Sequence, residues 1–375
     1  MQKVVLFGAS GNIGTQTLEI LEQNKDKFEL VAISIGNNTK NLEHILETFD
    51  KISLVYLNVI DIKIQKKFSN ITFIDKNIET LITDDANIVI NALSGFFGLK
   101  ITLETIKKEK TLLNANKESL VVAGNLINDL IDKHTKAKIY PLDSEHCAIF
   151  QCLESNDIKK IYLTASGGPF RDLSLEETKK VKLEDALKHP NWIMGPKITI
   201  DSATMFNKAF EILEVYHLFK TKDIVTLVHP QSIIHSMVEF SDGSIKAQLS
   251  VPDMKQVINY FLHYPIRKEF KNQKFMSFEN LLSLELQVID ENRFLPIQFA
   301  KKCINAPNSL AIAINAANEV CVQAFIENKI SFYQITEIVN KIFSSVPKIN
   351  YNDYNDIDNF DKEVRNLTTN IIKGD

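Results

Sequence analysis

Residues 3–14, Lys3-Val-Val-Leu-Phe7-Gly8-Ala-Ser-Gly11-Asn-Ile-Gly14, limit the fold of this chain more than any other stretch. The apolar run reads as a strand buried on both faces. Glycines at G-x-x-G-x-x-G spacing follow without a gap, and residues 15–22 then carry helical periodicity. A buried strand, a glycine turn and a helix in that order open a parallel α/β sheet. The glycines let a pyrophosphate approach the backbone at the helix N-terminus. The spacing alone is a weak signal, because a tight strand-to-helix turn that binds nothing has the same pattern. Its place between strand and helix meets both contextual requirements of a dinucleotide site.

The rhythm continues down the chain. Residues 30–35, 54–57, 71–74, 88–92 and 111–114 read as buried strands, 137–142 as the last strand, and 99–109 as one of the intervening helices. The expected fold class is α/β, with a Rossmann-like doubly wound parallel sheet over residues 1–143. Ligands of such sheets bind beyond the carboxyl ends of the strands. That directs attention to Gly36-Asn-Asn38 and to Asn114-Ala-Asn-Lys-Glu118. No acid follows the second strand to hold a ribose 2′-hydroxyl, which leans away from NAD, and no arginine stands there either. Asn116, Lys117 and Glu118 are expected on the nicotinamide side; the competing reading of Lys117 is a surface lysine.

From residue 144 the pattern changes. Strands over 159–165, 224–228, 233–240 and 245–249 predict an α+β central catalytic domain over 144–269, with a lid over 166–196. Residues 270–294 are weakly periodic and read as a linker. Helical periodicity at 299–303, 310–326 and 335–343 predicts a small C-terminal all-helical domain over 295–375. A net charge of −4 gives no general attraction for nucleic acid or an anionic membrane. No apolar run approaches the ~20 residues of a membrane helix. Four cysteines without a CxxC pair favour a reducing compartment. The strand at residue 3 leaves no room for a signal peptide. The expected compartment is therefore a reducing one.

Two constellations carry chemistry. In Asp201-Ser-Ala-Thr-Met-Phe-Asn-Lys-Ala-Phe-Glu211, Asp201 or Ser202 is expected to cap a helix starting near Ala203. Thr204, Asn207, Lys208 and Glu211 would share its polar face, opposite Met205, Phe206, Phe210 and Ile212. A helix N-terminus, a lysine and donor side chains suit a phosphate, and Glu211 suits a divalent cation. The plainer reading is a solvated face with a Lys208–Glu211 ion pair. In Pro141-Leu-Asp-Ser-Glu145, extended chain would place Asp143 and Glu145 on one face. Their hard oxygens favour Mg²⁺ or Mn²⁺, with Glu211 as a third ligand. His146 reads as a packed histidine, and Cys147, with no paired base, as no nucleophile. Ser166-Gly-Gly-Pro169 and His189-Pro-Asn-Trp192-Ile-Met-Gly195 would flank the site, with Trp192 either closing a lid or anchoring a small core.

Together the segments GASGNIG, NANKESLV, PLDSEHCAIFQCL, ASGGPFR, HPNWIMGPKITIDSATMFNKAFE, VHPQSIIHSMVEFSDGSIKAQLSVPDM and NAANEV resemble one family, the 1-deoxy-D-xylulose 5-phosphate reductoisomerases of the non-mevalonate isoprenoid pathway. The resemblance runs from residue 4 to about residue 320. It implies Asp143, Glu145 and Glu211 as ligands of Mg²⁺ or Mn²⁺, with Ser144 and Lys117 at the reacting end of the substrate. It implies Ser166, Ser202, Asn207 and Lys208 around the substrate phosphate, with His189 closing over it from the lid. For NADPH it implies Ser10, Gly11, Asn12, Ile13, Gly36, Asn37, Asn38, Asn116, Glu118 and Gly195. The implied reaction is a retro-aldol and aldol rearrangement of the phosphosugar. Hydride reduction to 2-C-methyl-D-erythritol 4-phosphate follows, in a homodimer, with a bacterial cytoplasm, or a plastid if a transit peptide has been removed, as the implied location. On the charge balance above, no nucleic-acid or membrane partner is expected. Ser10 stands where the family usually has Thr, Asn12 where it has Ser, and Asn37 where it commonly has a Lys near the 2′-phosphate. The tail after Glu319 matches the family poorly.

Two other readings compete. A short-chain-type epimerase or reductase needs a Tyr-x-x-x-Lys pair, matched formally by Tyr216 with Lys220 and Tyr264 with Lys268. A non-catalytic dinucleotide sensor would need no acidic trio.

Overall fold

The first strand, β1 (Gln2–Phe7), lies at the middle of a seven-stranded sheet in the order β4-β3-β2-β1-β5-β6-β7. The others are β2 (Phe28–Ile35), β3 (Leu54–Leu57), β4 (Thr72–Ile74), β5 (Ile88–Asn91), β6 (Thr111–Asn114) and β7 (Lys138–Pro141). Every neighbouring pair is parallel. The computed structural model describes residues 1–374 other than 60, 156, 189–191, 193 and 280–282. Helices α1 (Asn12–Glu22), α2 (Leu42–Thr48), α3 (Ile62–Lys67) and α4 (Gly98–Lys107) lie between the strands. One apolar cluster holds Val5, Phe7, Val31, Val89, Ile101 and Leu112, each buried. The strand order turns at β1, which pairs with β2 on one side and β5 on the other, so the ends of β1 and β5 form the switch point where such sheets bind ligands. Strand limits fall within two residues of the sequence reading. Helices α2 and α3 were not anticipated, being short and mostly polar, with Ile64 the buried residue of α3.

The second sheet runs β11-β10-β8-β9-β12. Its strands are β8 (Ile158–Ala165), β9 (Ile224–Val228), β10 (Ile234–Phe240), β11 (Ile245–Leu249) and β12 (Gln287–Val288). β8 and β9 are parallel, and the other pairs antiparallel. Helices α5 (Lys117–Lys133), α6 (Ser144–Cys152), α7 (Leu175–Thr178), α8 (Leu183–Ala186), α9 (Pro196–Thr204) and α10 (Phe206–Phe219) precede or interrupt these strands. After β11 come α11 (Met254–His263), α12 (Leu295–Ile304), α13 (Ser309–Ile326), α14 (Phe332–Ser345) and α15 (Tyr354–Lys373). Helix α13 packs against α14 and α15. It is apolar enough by length and composition to cross a membrane, but 78% of its window is buried in the protein. Asn315, Asn318, Glu319 and Gln323 interrupt its apolar residues, and its burial is that of a core helix. The 20-residue α15 was also missed, since its buried stripe of Ile357, Phe360 and Val364 is thin among charged residues.

The chain forms two compact units. One comprises Met1–Asn116, Ile127–Asp143 and Asp253–Lys274; the other comprises Lys117–Leu126, Ser144–Pro252 and Phe275–Asp375. The partition differs from successive segments. Helix α11 returns to the first unit, where Phe261 stacks on Tyr140 at 5.3 Å and His263 meets Phe28 edge-on at 5.3 Å. Within the segment read as a linker, β12 adds to β9.

In the second unit, a Cβ on Gly124 of α5 would meet the His217 ring at 2.2 Å, so the imidazole lies directly on the α5 backbone. Burial, with help from Lys220, lowers the His217 pKa to about 4. The folded protein therefore resists protonating His217 while the unfolded chain takes up a proton near pH 6.5. Stability is full above that value and is lost as pH falls toward 4, by on the order of 3 kcal/mol for a shift of this size. Denaturant titrations between pH 7 and 4 should show this slope. They should show it flattened in His217→Gln, and an unchanged slope would disprove the assignment.

Candidate active site

Helix α10 carries most of the chemistry, and its sequence explains which side faces where. Phe206, Phe210 and Leu213 repeat at helical spacing and are buried. Phe206 contacts Phe299 of α12, which stacks at 4.9 Å on Phe343 of α14. Burying an aromatic side chain of this kind is worth roughly 2–3 kcal/mol, which fixes the helix rotation. Asn207, Lys208, Glu211 and Glu214 fall on the other side.

The beginning of α10 differs from the sequence reading. No helix starts at Ala203. Helix α9 ends at Thr204, Met205 is left-handed (φ 69°), and α10 begins at Phe206 without a side-chain cap. Asp201 and Ser202 therefore lie inside α9 and cap nothing. Asp201 is buried, pairs with Lys197 at 2.8 Å and accepts from Asn318 Nδ2 at 2.7 Å. Burial raises its carboxyl pKa against the pull of Lys197. Thr204 turns inward too, its hydroxyl donating to the carbonyls of Ile200 and Asp201.

Glu145 comes from the first turn of α6, so extended chain is not what brings it beside Asp143, the residue just before that helix. Asp143, Glu145 and Glu211 nevertheless each offer an oxygen within 4.8 Å of one another. The Lys208 ammonium lies against two of them: 3.0 Å from Glu145 Oε1 and hydrogen-bonded to Glu211 Oε2, and also 2.5 Å from the Thr164 carbonyl near the end of β8. Asn207 Nδ2 donates to Glu211 Oε1 at 2.6 Å, and Lys117 Nζ lies 3.3 Å from the same oxygen. Ser144 donates to Glu145 Oε2. Three converging carboxylates, two of which hold an ammonium, form an all-oxygen, anionic donor set, which fits Mg²⁺ or Mn²⁺.

His146 is fully buried, its Nε2 3.2 Å from the Glu211 carbonyl, as expected of a packed histidine. Cys147 is buried and free of disulfide. Gly168 explains how two of the phosphate candidates approach: it is left-handed (φ 68°), and a Cβ there would meet Ser202 O at 2.8 Å. The loop whose Ser166 Oγ accepts from Gly168 N thus packs on the end of α9 that carries Ser202. Asn207 and Lys208 direct the contacts described above toward carboxylates. Trp192 sits 6.1 Å from the His235 ring. His189 lies outside the described residues. Glu214, which the sequence reading passed over, lies 3.7 Å from Lys117 Nζ and 3.7 Å from His146 Nε2. Its spacing of three from Glu211 was the available signal.

In the first unit the glycine loop has the shape of a phosphate cradle. Gly8 (φ 79°) runs so close to β5 that a Cβ would meet Ala92 O at 2.5 Å, and a Cβ on Gly14 would meet Gly8 O at 2.1 Å. Gly8 N donates to Ser34 Oγ and Ala9 N to the Ser34 carbonyl, tying the loop to β2. Gly11 precedes α1 with no side-chain cap, and Ser10, Gly11, Asn12 and Ile13 are all at least partly exposed. These features fit a dinucleotide pyrophosphate. Gly36, Asn37 and Asn38 are exposed beyond β2, with Asn37 Oδ1 accepting from Asn58 Nδ2 at 2.9 Å. Asn116 Nδ2 donates to the carbonyls of Leu93 and Gly95. In the second unit Glu118 is buried and pairs with Lys197 at 2.7 Å, two residues past Gly195, whose own Cβ position is open.

Of the two formal Tyr-x-x-x-Lys matches, neither lies within one helix. Lys220 is the left-handed residue after α10, and Tyr264 ends α11 ahead of a cis bond to Pro265.

Comparison with known proteins gives a consistent result. Residues 4–124 match the sequence profile of 1-deoxy-D-xylulose 5-phosphate reductoisomerase, and residues 139–219 and 249–367 match profiles of its C-terminal domains. The last match extends well beyond Glu319, so the tail belongs to the family pattern after all. The chain is 40% identical to 1-deoxy-D-xylulose 5-phosphate reductoisomerase of Lachnoclostridium phytofermentans, covering 97% of this chain and 96% of that protein. It is 41% identical to that of a Geobacillus species, covering 99% and 100%. A crystal structure of DOX-P reductoisomerase with NADPH, fosmidomycin and magnesium superimposes with a TM-score of 0.94 at 34% identity, over 100% of this chain and 98% of that one. The enzyme of Zymomonas mobilis with NADPH gives 0.89 at 35%, over 99% of each. The chain belongs to the 1-deoxy-D-xylulose 5-phosphate reductoisomerase family.

Proposed function

We propose that this protein converts 1-deoxy-D-xylulose 5-phosphate to 2-C-methyl-D-erythritol 4-phosphate with NADPH and Mg²⁺ or Mn²⁺. The observation that carries the reading is the convergence of Asp143, Glu145 and Glu211 within 4.8 Å, in a chain that also has a glycine cradle. Asp143, Glu145 and Glu211 would hold the cation, which supplies Lewis acidity at the substrate's oxygens when bound. Lys117 and Ser144, beside Glu211 and Glu145, would orient the ketone and hydroxyl through which the carbon skeleton rearranges. Ser166, Ser202, Asn207 and Lys208 would hold the phosphate, with His189 and Trp192 closing over it. Binding energy at that remote group orients the reacting end. The glycine loop, Gly36–Asn38, Asn116, Glu118 and Gly195 would hold NADPH, the hydride donor.

Product analysis tests the reading. Phosphorus NMR and mass spectrometry should find the branched polyol phosphate in amounts matching NADPH consumed. NADPH consumption with an unbranched product would instead favour the short-chain reductase reading, and no consumption the sensor.

Asn37 affects cofactor choice. It is neutral and bonded to Asn58, at the position proposed for the adenosine ribose. Asn37→Lys is expected to raise the NADPH/NADH ratio of kcat/KM by about tenfold, as one added charge-assisted phosphate contact supplies roughly 1.5 kcal/mol. An unchanged ratio would place the 2′-phosphate elsewhere.

A cytoplasmic homodimer belongs to the same reading. The edge strands β12 and β11 bear exposed Val288 and Ile245, which fits pairing with a second copy, and light scattering on the eluted protein checks it.

A further inference from the structure

We propose that Glu214 is a positioning residue that draws the Lys117 ammonium away from Glu211, leaving the Glu211 carboxylate open to the divalent cation. The inference rests on the reading of Asp143, Glu145 and Glu211 as the cation site.

Glu211 and Glu214 are one turn apart on α10 and present their carboxylates to the same side. Between them lies the ammonium of Lys117, from the first turn of α5, 3.3 Å from Glu211 Oε1 and 3.7 Å from Glu214 Oε2. All three side chains are nearly enclosed, with exposures of 11%, 1% and 3% for Lys117, Glu211 and Glu214. A third element fixes the arrangement: His146 Nε2 of α6 lies 3.7 Å from Glu214 Oε2 and 3.2 Å from the Glu211 carbonyl.

An ammonium and a divalent cation compete for carboxylate oxygen. If Glu211 were the only anion within reach of Lys117, binding a cation at Glu211 would leave a buried ammonium without its counter-charge, a costly outcome. Glu214 supplies a second counter-charge at a similar distance. Lys117 can then stay charged beside Glu214, positioned for substrate, while Glu211 turns to the metal. An ion pair serving only to hold α5 to α10 would contribute to stability, but its loss would not alter cation affinity through Lys117.

The test is direct binding of Mn²⁺, followed by the electron paramagnetic resonance signal of the free ion, without substrate or NADPH. It uses the full-length protein, Glu214→Gln, Lys117→Met and the double variant. Glu214→Gln should weaken Mn²⁺ binding about tenfold, within the coupling range of charges in contact. Lys117→Met should tighten binding. In the Lys117→Met background, Glu214→Gln should change affinity by less than about twofold. An equal loss with or without Lys117 would mean that Glu214 acts through its own field and would overturn the proposal. So would an unchanged or weaker affinity in Lys117→Met alone, a result that does not depend on Glu214→Gln folding. If the parent protein binds Mn²⁺ no better than Asp143→Asn does, the cation site itself fails, which is a separate result.

Discussion

Glu211→Gln is expected to lower kcat for NADPH-linked turnover by about 10³-fold or more, with the protein still folded. The carboxamide keeps the shape of the side chain; its one oxygen can still accept from Lys208, and an amide flip lets Asn207 Oδ1 accept from the new N–H, so packing of α10 is preserved. What it loses is a full negative charge at the point where three carboxylates converge. Lewis-acid activation is worth several kcal/mol of transition-state stabilisation, and about 4 kcal/mol corresponds to about 10³-fold in rate. Raising the Mn²⁺ concentration should recover part of the activity if the defect lies in cation binding. A variant with near-normal kcat would remove Glu211 from the mechanism.

Lys208→Met should have the largest effect on stability. Its ammonium is buried between Glu145, Glu211 and the Thr164 carbonyl. Removing one member of a buried charged cluster leaves the others poorly compensated and costs about 3–5 kcal/mol. Denaturant unfolding should show a loss of that order. Mg²⁺ should narrow the gap, because a ligand that binds only the folded state stabilises it by mass action, and this one neutralises the same two carboxylates. Turnover should fall as well, Lys208 being a proposed phosphate contact. Unaltered stability would mean that solvent, and not Lys208, balances these carboxylates.

The parts of this structure that were legible in the sequence are those fixed by local pattern. The strands β3, β6, β9 and β11 have the limits that their apolar runs predict, and the glycine loop lies where its spacing and neighbours place it. Acidic residues separated by 66 positions, Glu145 and Glu211, could be grouped because their chemistry is rare in combination. What failed was decided by tertiary contacts. Met205 breaks the helix in a left-handed conformation although it is neither Gly nor Asn, held there by burial that no local signal encodes. Asp201 has the look of an N-cap, yet its partners are Lys197 within α9 and Asn318 on α13, 117 residues away. Glu145 was placed beside Asp143 by a strand argument, when the turn into α6 brings the two together. For Glu214 the sequence offers only its spacing of three from Glu211, because its importance depends on Lys117 and His146, which come from two other helices.

The most direct test of the account is absorbance at 340 nm with the purified protein, NADPH, 1-deoxy-D-xylulose 5-phosphate and Mn²⁺. Absorbance should fall steadily, stop when a chelator removes the metal, and resume when Mn²⁺ is restored in excess. No loss of NADPH under these conditions, or a loss that continues unchanged in the chelator, would contradict it.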